Sequence, residues 1–464
     1  MDDFDILLKE MAKKEKENLP ASLETRIEKT LNNLPLKKRG IRRSMLAAII
    51  AAAFLVMPVM TVYGKEIPMV NTVIEFFKVN QTLRYGSDAE VYKRYSTGMG
   101  KTVTNNGVSI TIENIACDDN FLVLFYTVKG VGKKIYKIID IDVEKDERKV
   151  YEVARNLSGR IKINGRDKGI SYNDNDDAYL TEDGKIKGMI RADISGQDLP
   201  NQLNIDFLVN EALGKNGQWN FNFNISKEEA LKESKVVRVK KDGYVKCPGS
   251  EHNFKVEKVS FTPFGDQITI SENLKRSNEF EDNPTPFNWF VLYDDKGNSL
   301  DVLRLRGGNF SNGIKTENSF EFVKGNRDSK FLTLVPVYIY FDNTVSKINN
   351  IPVDINKFPL ELKMSDKGSL VVEKIEFREM ETKIYYTKKG VVLHDGALSL
   401  LDDKGMKIEK SPVFRRGDYV VDREKGLYVR ILPKLDESKK YKLSFLTDPK
   451  FELLDQYEVE IPLK

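Results

Sequence analysis

The sequence predicts a mainly β protein in which a short N-terminal helical segment and one transmembrane helix precede two to three tandem immunoglobulin-like β-sandwich units. Three observations predict this fold class. An uncharged apolar run extends from Met45 to Tyr63. Apolar residues at helical spacing flank this run on both sides. From Val103 onward, short stretches of alternating apolar and polar residues are separated by turn residues, as in antiparallel strands.

Residues 1–43 have the pattern of two short amphipathic helices, separated by Leu19-Pro20 and ended by Pro35. Isolated helices of this length are marginal in water, and so short a segment cannot form its own core. The apolar stripes are therefore expected to bind a cytoplasmic protein; the inner membrane surface and a solvated tail are the alternatives. The candidate partner-binding residues are Leu7, Leu8, Met11, Leu23, Ile27, Leu31 and Leu34.

Residues 44–64 are predicted to form a transmembrane helix, since about 20 apolar residues are needed to cross a hydrocarbon core of about 30 Å. Five basic residues lie between Lys37 and Arg43, whereas only Lys65 and Glu66 follow directly. Positive residues stay on the cytoplasmic side, which predicts a single-pass protein of the cell membrane with a cytoplasmic N-terminus and an extracellular C-terminal region. A cleaved signal peptide and a buried helix of a soluble domain are the less favoured alternatives.

Residues 65–100 are predicted to be a juxtamembrane helical linker. Ile67, Val70, Ile74 and Phe77 continue a helical apolar stripe beyond the membrane. The sequence from Ser87 to Glu90 has the pattern of a capping box that opens a short helix ending near Tyr95.

The remaining chain repeats one pattern, which predicts β-sandwich units at residues 101–240, 242–363 and 364–464. Each unit opens with a strand of apolar-x-apolar-Glu pattern, a polar turn and a second alternating strand: VSITIENIACDDNFLVLFYTV, FKVEKVSFTPFGDQITI and LVVEKIEFREMETKIYYT. The stretches LYDDKGNSL and LLDDKGMKI predict Asp-Lys-Gly hairpin turns, and IKINGRDKGI is a looser version. A sandwich is favoured by the strand spacing, with a barrel as the open alternative, and Trp219 and Trp289 are expected to be core or edge aromatics.

Composition excludes several function classes. The chain has 74 basic and 70 acidic residues and a formal net charge of +4. This near balance predicts no binding of nucleic acid. With two Cys and two His in 464 residues, no metal or other cofactor is expected. No motif typical of a nucleophilic, phosphate-binding or metalloprotease site is found, so the chain is not expected to be an enzyme.

Three minor features have simple structural interpretations. The acidic loop at residues 173–177 lacks the Gly and Glu of an EF-hand, so a solvated hairpin is favoured over a calcium site. The basic patches at residues 304–308 and 415–417 are expected to be exposed turns, with contact to anionic wall polymers or lipid headgroups as the alternative. Whether Cys117 and Cys247 form a disulfide stays open.

Several segments of the sequence resemble those of a known family. These are LPASLETRIEKTL, the basic flank KKRGIRR, the juxtamembrane IPMVNTVIEFF and the first β-hairpin NNGVSITIENIACDDNFLVLFYTV. With the apolar span, they resemble the membrane-anchored anti-sigma-factor-like proteins of Gram-positive bacteria in domain-of-unknown-function family 4179, here followed by a further C-terminal β-domain of unknown function.

The resemblance implies that residues 1–36 hold an extracytoplasmic-function sigma factor at the membrane while the outer units sense the state of the envelope. Residues 1–43 contain no Cys or His, so sigma-factor binding would be metal-free. The predicted function is that of an anti-sigma factor whose partners are a cytoplasmic sigma factor, the lipid bilayer and an unknown extracellular or cell-wall ligand. The alternative is a membrane-anchored envelope binding or structural protein with no sigma-factor partner.

Overall fold

The computed structural model divides the chain into two units, and the set of described residues lies within the second, Glu66–Lys464. The predicted helices of residues 1–43 and the predicted span of residues 44–64 lie outside it. Among the described residues, no helix is long and apolar enough to cross a membrane. The described residues are 73, 76, 77, 89–130, 157–172, 178–181, 184–195, 199–247, 250–273, 290–303, 315–340, 346–378, 381–393, 398–408 and 418–464.

The described chain is mainly β, which confirms the predicted class. Its α-helices are short: α1 is Ala89–Tyr95 and α2 is Glu228–Lys232. The end of α1 at Tyr95 matches the prediction, and Val73, Phe76 and Phe77 are helical as well.

The first β-region comprises two antiparallel sheets. One has the strand order β1-β2-β3-β7-β6 and the other β5-β4-β8-β9. Their bounds are β1 Thr97–Asn105, β2 Val108–Cys117, β3 Phe121–Gly130, β4 Ser158–Ile163, β5 Arg166–Tyr172, β6 Ala178–Leu180, β7 Ile186–Asp193, β8 Gln202–Ala212 and β9 Lys215–Ser226.

One apolar core lies between these two sheets. Ile112 and Leu124 of the first sheet and Phe207 and Phe221 of the second belong to the same buried cluster. Trp219 is fully buried there, and its indole Nε1 donates a hydrogen bond to the carbonyl of Val108 at 2.9 Å. Trp219 is therefore a core residue, as predicted, and its hydrogen bond joins the two sheets.

The second β-region is built around a nine-stranded sheet. The order is β10-β11-β12-β15-β14-β13-β16-β25, with β26 also paired to β16. The last two strands, β25 and β26, come from the end of the chain and pair with β16. More than 100 residues separate the end of β16 from the start of β25. The bounds are β10 Lys235–Cys247, β11 Ser250–Phe261, β12 Asp266–Asn273, β13 Phe290–Asp294, β14 Ser299–Leu303, β15 Lys315–Val323, β16 Phe331–Ile339, β25 Phe451–Leu453 and β26 Val459–Pro462.

The third β-region contains a three-stranded sheet, β17-β24-β21, and a five-stranded sheet, β18-β19-β20-β23-β22. Short 3-10 helices occur at Ile355–Lys357 and Asp455–Tyr457. The strand bounds are β17 Ile348–Pro352, β18 Leu360–Lys363, β19 Gly368–Phe377, β20 Glu381–Gly390, β21 Ser399–Leu401, β22 Asp418–Asp422, β23 Leu427–Pro433 and β24 Lys442–Leu446.

The repeated hairpins seen in the sequence are present in all three regions as β2-β3, β11-β12 and β19-β20. In each, the register shifts by one residue at the repeated glutamate: Glu113, Glu257 or Glu373. The extra residue forms a β-bulge, which bends the strand and increases its twist. The apolar-x-apolar-Glu pattern therefore marks a bulge as well as a strand.

The predicted Asp-Lys-Gly turns are confirmed. The Asp294 carboxylate accepts hydrogen bonds from the backbone N–H groups of Lys296 and Asn298 at 3.0 and 2.7 Å, and Asp402 makes the equivalent pair in the third region. Gly297 lies at φ +81°, which favours glycine. These aspartates act as turn residues, as predicted. In the stretch IKINGRDKGI of the first β-region, the turn is formed by Asn164-Gly165. The Asp-Lys-Gly that follows lies in β5 and forms no turn.

Candidate functional site at the junction of the first two β-regions

The seven predicted partner-binding residues lie outside the described residues. This holds for Leu7, Leu8, Met11, Leu23, Ile27, Leu31 and Leu34, and also for the acidic loop at residues 173–177 and both basic patches. Cys117 and Cys247 are described; both are free and buried, and they lie in the cores of different β-regions. They form no disulfide with each other.

The described residues contain a different candidate site, where the turns of two repeated hairpins meet. The β2-β3 turn carries Asp118, which is fully buried. Its Oδ1 accepts hydrogen bonds from the N–H groups of Asn120 and Phe121 at 2.8 and 2.7 Å within its own turn. Its Oδ2 accepts one from the N–H of Phe264 in the β11-β12 turn at 2.9 Å. One carboxylate therefore joins the first and second β-regions.

The side-chain amide of Asn120 makes a second bridge between these turns. Its Nδ2 donates to the Thr262 hydroxyl at 3.1 Å and to the Gly265 carbonyl at 2.7 Å. Its Oδ1 accepts from the Ser260 hydroxyl at 2.8 Å. Because these groups are buried, loss of one partner would leave the others unsatisfied away from water, which is costly.

Glu321 of β15 lies between two arginines from the neighbouring β-regions. Arg191 of β7 forms a two-pronged ion pair with it, at 3.0 and 2.9 Å, and Arg423 contacts it from the third region at 2.5 Å. The side chains of Arg191 and Glu321 are 2% and 0% exposed. Glu321 therefore connects all three β-regions through one buried carboxylate.

We call this group the polar junction and define it as Asp118, Asn120, Arg191, Thr262, Asp266, Glu321 and Arg423. Its carboxyl groups differ in their titration. Burial raises the pKa of Asp118 to about 6, although three backbone N–H groups oppose the shift. Burial likewise raises the pKa of Asp266 to about 7, against the nearby charge of Arg423. Burial would also raise the pKa of Glu321, but the charges of Arg191 and Arg423 hold it below its ordinary value.

These shifts predict a pH-dependent stability. The ordinary pKa of an aspartate is 3.8, so folded Asp118 and Asp266 bind more protons than the unfolded chain between about pH 4 and pH 7. Their contribution is fully present below pH 3.8 and is lost as the pH rises through about 6 and about 7. We expect the Asp266→Asn variant to lose less stability than the unmodified chain between about pH 5 and about pH 8, by about 1–3 kcal/mol.

Urea unfolding of both chains at the two pH values measures this difference. The comparison reports Asp266 together with its coupling to Asp118 and Glu321, because the other titrating groups are shared by the two chains. Equal pH dependence in the two chains would show that Asp266 does not titrate in this range.

An aromatic cluster, which we call the docking cluster, lies beside the polar junction. It holds Val73, Phe76 and Phe77, which precede α1 and which we call the docked segment. Phe76 and Val73 are 1% and 0% exposed. The cluster draws on the helical residues and on the first and second β-regions. Its buried members are Val73, Phe76, Tyr92, Ala116, Phe121, Val123, Phe125, Met189 and Phe264, and Phe77, Val91 and Tyr95 pack at its edge.

Ring contacts fix the position of this segment. Phe76 meets Phe125 edge-on at 5.5 Å, and Phe77 stacks on Tyr92 at 5.2 Å. Tyr92 in turn stacks on Phe264 of the second β-region at 4.9 Å with an interplanar angle of 5°. Aromatic pairs of this kind add about 0.5–1.5 kcal/mol to the burial of their surfaces.

Arg191 couples the docking cluster to the polar junction. Its guanidinium lies 3.3 Å from the centre of the Phe121 ring and also donates to the Phe264 carbonyl. The same group pairs with Glu321. A change in the ion pairs of Glu321 therefore acts on two residues of the docking cluster, the ring of Phe121 and the backbone of Phe264, through one side chain.

The polar junction connects the three β-regions through buried hydrogen bonds and ion pairs. Within the part of the chain that the structure describes, no group of three or more His, Cys, Asp or Glu residues is placed to hold a metal ion. Sequence reasoning missed the junction, because the two arginines that pair with Glu321 are each more than 100 residues from it along the chain. The available signal was the repeat itself, since Asp118 and Phe264 occupy the turns of two equivalent hairpins.

Comparison with known families supports the resemblance found in the sequence. Residues 36–130 match the family model described as Domain of unknown function (DUF4179), which confirms the family named above. Residues 239–364 match the Family of unknown function (DUF5643), a further β-domain. The first match includes the docked segment, α1 and the β2-β3 hairpin.

Other comparisons add little. No curated protein matches the chain. A solved structure described as the crystal structure of the conserved domain protein from Bacillus anthracis is similar, with 17% identity and coverage of 58% of this chain and 88% of that one. Its TM-score is 0.35, at which the likeness assigns neither a fold nor a function.

Proposed function

We propose that the chain is a single-pass membrane regulator of the anti-sigma-factor type. Residues 1–43 lie in the cytoplasm and sequester an extracytoplasmic-function sigma factor, and residues 44–64 form the transmembrane helix. The remaining chain lies outside the membrane as tandem immunoglobulin-like β-sandwich units that respond to an envelope ligand. The match of residues 36–130 to DUF4179 supports this proposal.

One structural observation carries the proposal furthest. Val73, Phe76 and Phe77 follow the predicted span closely in sequence and are packed in the docking cluster between two β-regions. A rearrangement of these regions would move the segment that leads to the membrane. A ligand could favour such a rearrangement only by binding one arrangement more tightly than the other.

The sigma-factor partner is tested with the full chain and with a Leu7→Asp/Leu31→Asp variant. Each substitution places a charge on a stripe that is proposed to be buried in the partner, which is costly. We expect the unmodified chain to co-purify with a sigma factor from its native membranes. The variant is expected to capture at most about one tenth as much sigma factor. The measurement is the amount of sigma factor captured per chain.

The matched control is Lys13→Asp/Lys16→Asp, two similarly drastic changes in the charged run between the stripes. It is expected to keep most of the captured sigma factor. If the unmodified chain captures none, the anti-sigma proposal fails, and an envelope binding or structural protein with no sigma-factor partner becomes the better account.

A further inference from the structure

The sheet β5-β4-β8-β9 has one face on the core and one face in solvent. Along β9, buried Phe221 and Phe223 alternate with exposed Asn220, Asn222 and Asn224. The outer face therefore presents three asparagines in a row along one strand. On the neighbouring strand β8, Asn204 and Asp206 are half-buried on the same face. We call this surface the amide face.

Asparagine is a poor strand residue, because its side chain competes for backbone hydrogen bonds and packs badly on a pleated surface. Exposed strand positions that serve only folding are better filled by Thr and other β-branched residues. Repetition of asparagine at Asn220, Asn222 and Asn224 therefore works against local stability. Local departures of this kind are expected at functional surfaces.

The amides are held in place by one another. Asn204 Nδ2 donates to Asn222 Oδ1 at 3.3 Å and to Asn224 Oδ1 at 3.0 Å. Asn222 Nδ2 donates to Asp206 Oδ1 at 2.7 Å and to Asn204 Oδ1 at 3.2 Å. A side-chain amide has two donor hydrogens and two acceptor lone pairs, so these bonds orient the amides and leave capacity for a ligand.

Charge on the amide face is balanced. Arg160 and Asp167 form an ion pair at 3.1 Å. Lys162 lies opposite Asp167 on one side and Asp206 on the other in the strand register. These two basic and two acidic side chains of β4, β5 and β8 therefore cancel. Lys101 of β1 adds one positive charge beside β9, where its Nζ donates to the Asn222 carbonyl at 3.0 Å. With a single unmatched charge, the face suits an uncharged partner better than an anionic polymer.

We infer that the amide face binds an uncharged glycan strand. Sugar hydroxyl and acetamido groups are both donors and acceptors, as side-chain amides are, and an extended chain can lie across the exposed face of a sheet. This inference names the ligand class of the outer units, and it rests on the proposed function, which places these units in the envelope. Its chemistry stands apart from that of residues 1–43.

The test measures retention of the full chain on chitin, an insoluble polymer of uncharged N-acetylglucosamine. We expect the unmodified chain to bind chitin. The Asn220→Ala/Asn222→Ala/Asn224→Ala variant is expected to bind chitin at least about tenfold more weakly, because several hydrogen bonds are removed. The matched control is Asn349→Ala/Asn350→Ala, a similar change on β17 in the third β-region. Thermal unfolding of the triple variant should be unchanged or shifted upward, since alanine removes no core contact.

No retention of the unmodified chain on chitin, or equal retention of the triple variant, overturns the inference. Retention that is lost equally in the Asn349→Ala/Asn350→Ala control also overturns it. Sigma-factor capture by the same preparations is scored separately. Glycan binding without sigma-factor capture contradicts the proposed function alone, and the reverse result contradicts the glycan inference alone.

Discussion

Replacement of Glu321 by alanine is expected to lower the free energy of unfolding of the described β-regions by about 3–5 kcal/mol. The substitution removes the carboxylate that pairs with Arg191 and Arg423, whose side chains are 2% and 15% exposed. It leaves two largely buried guanidinium groups without this partner, and an uncompensated buried charge is costly. Urea unfolding followed by circular dichroism measures the loss.

The control for this variant is Glu233→Ala. Glu233 pairs with Arg94 at 3.2 Å, but the two side chains are 52% and 61% exposed. A surface pair of this kind contributes about 1 kcal/mol or less. Similar losses in Glu321→Ala and Glu233→Ala would contradict the view that burial makes the Glu321 pairs important.

Replacement of Phe264 by alanine is expected to cost about 3–5 kcal/mol, because a fully buried ring is removed and a cavity is left. Phe264 stacks on Tyr92 and belongs to the second β-region, so its loss also weakens the contact that holds Phe76 and Phe77. Chemical unfolding gives the stability loss. Hydrogen exchange at the amides of Phe76 and Phe77 gives the local effect, which we expect to be faster exchange.

Tyr244→Ala is the matched control, an aromatic truncation at a side chain that is 39% exposed on β10. A partly exposed site is expected to lose about 1 kcal/mol or less and to leave exchange at Phe76 and Phe77 unchanged. If Phe264→Ala destabilised the protein but left this exchange unchanged, Phe264 would support the core without holding the docked segment.

The repeat could be predicted from sequence because its signals are local. Alternation marks the strands, and Asp294 and Gly297 determine a turn through bonds and backbone conformation within five residues. The repeated glutamates were also visible, although their role at a bulge depends on the register of the partner strand. That register is a property of two strands and cannot be derived from the pattern of one.

The junction could not be predicted in the same way. Arg191, Glu321 and Arg423 each occur in ordinary alternating or turn sequence, and nothing local distinguishes them from exposed charges. The pairing of β25 and β26 with β16 is also non-local, since apolar alternation gives the face of a strand but not its neighbour. The binding of a partner by the apolar stripes of residues 1–43 stays a prediction.

We propose that the β-regions control the docked segment, which follows the predicted membrane span. Amide hydrogen exchange at Val73, Phe76 and Phe77 in the full Glu321→Ala chain tests it most directly, under conditions where the variant is still folded. Glu321 is linked to this segment through Arg191, Phe121 and Phe264. We predict faster exchange at all three amides than in the unmodified chain. Unchanged exchange at these amides, together with a loss of global stability, would contradict the claim.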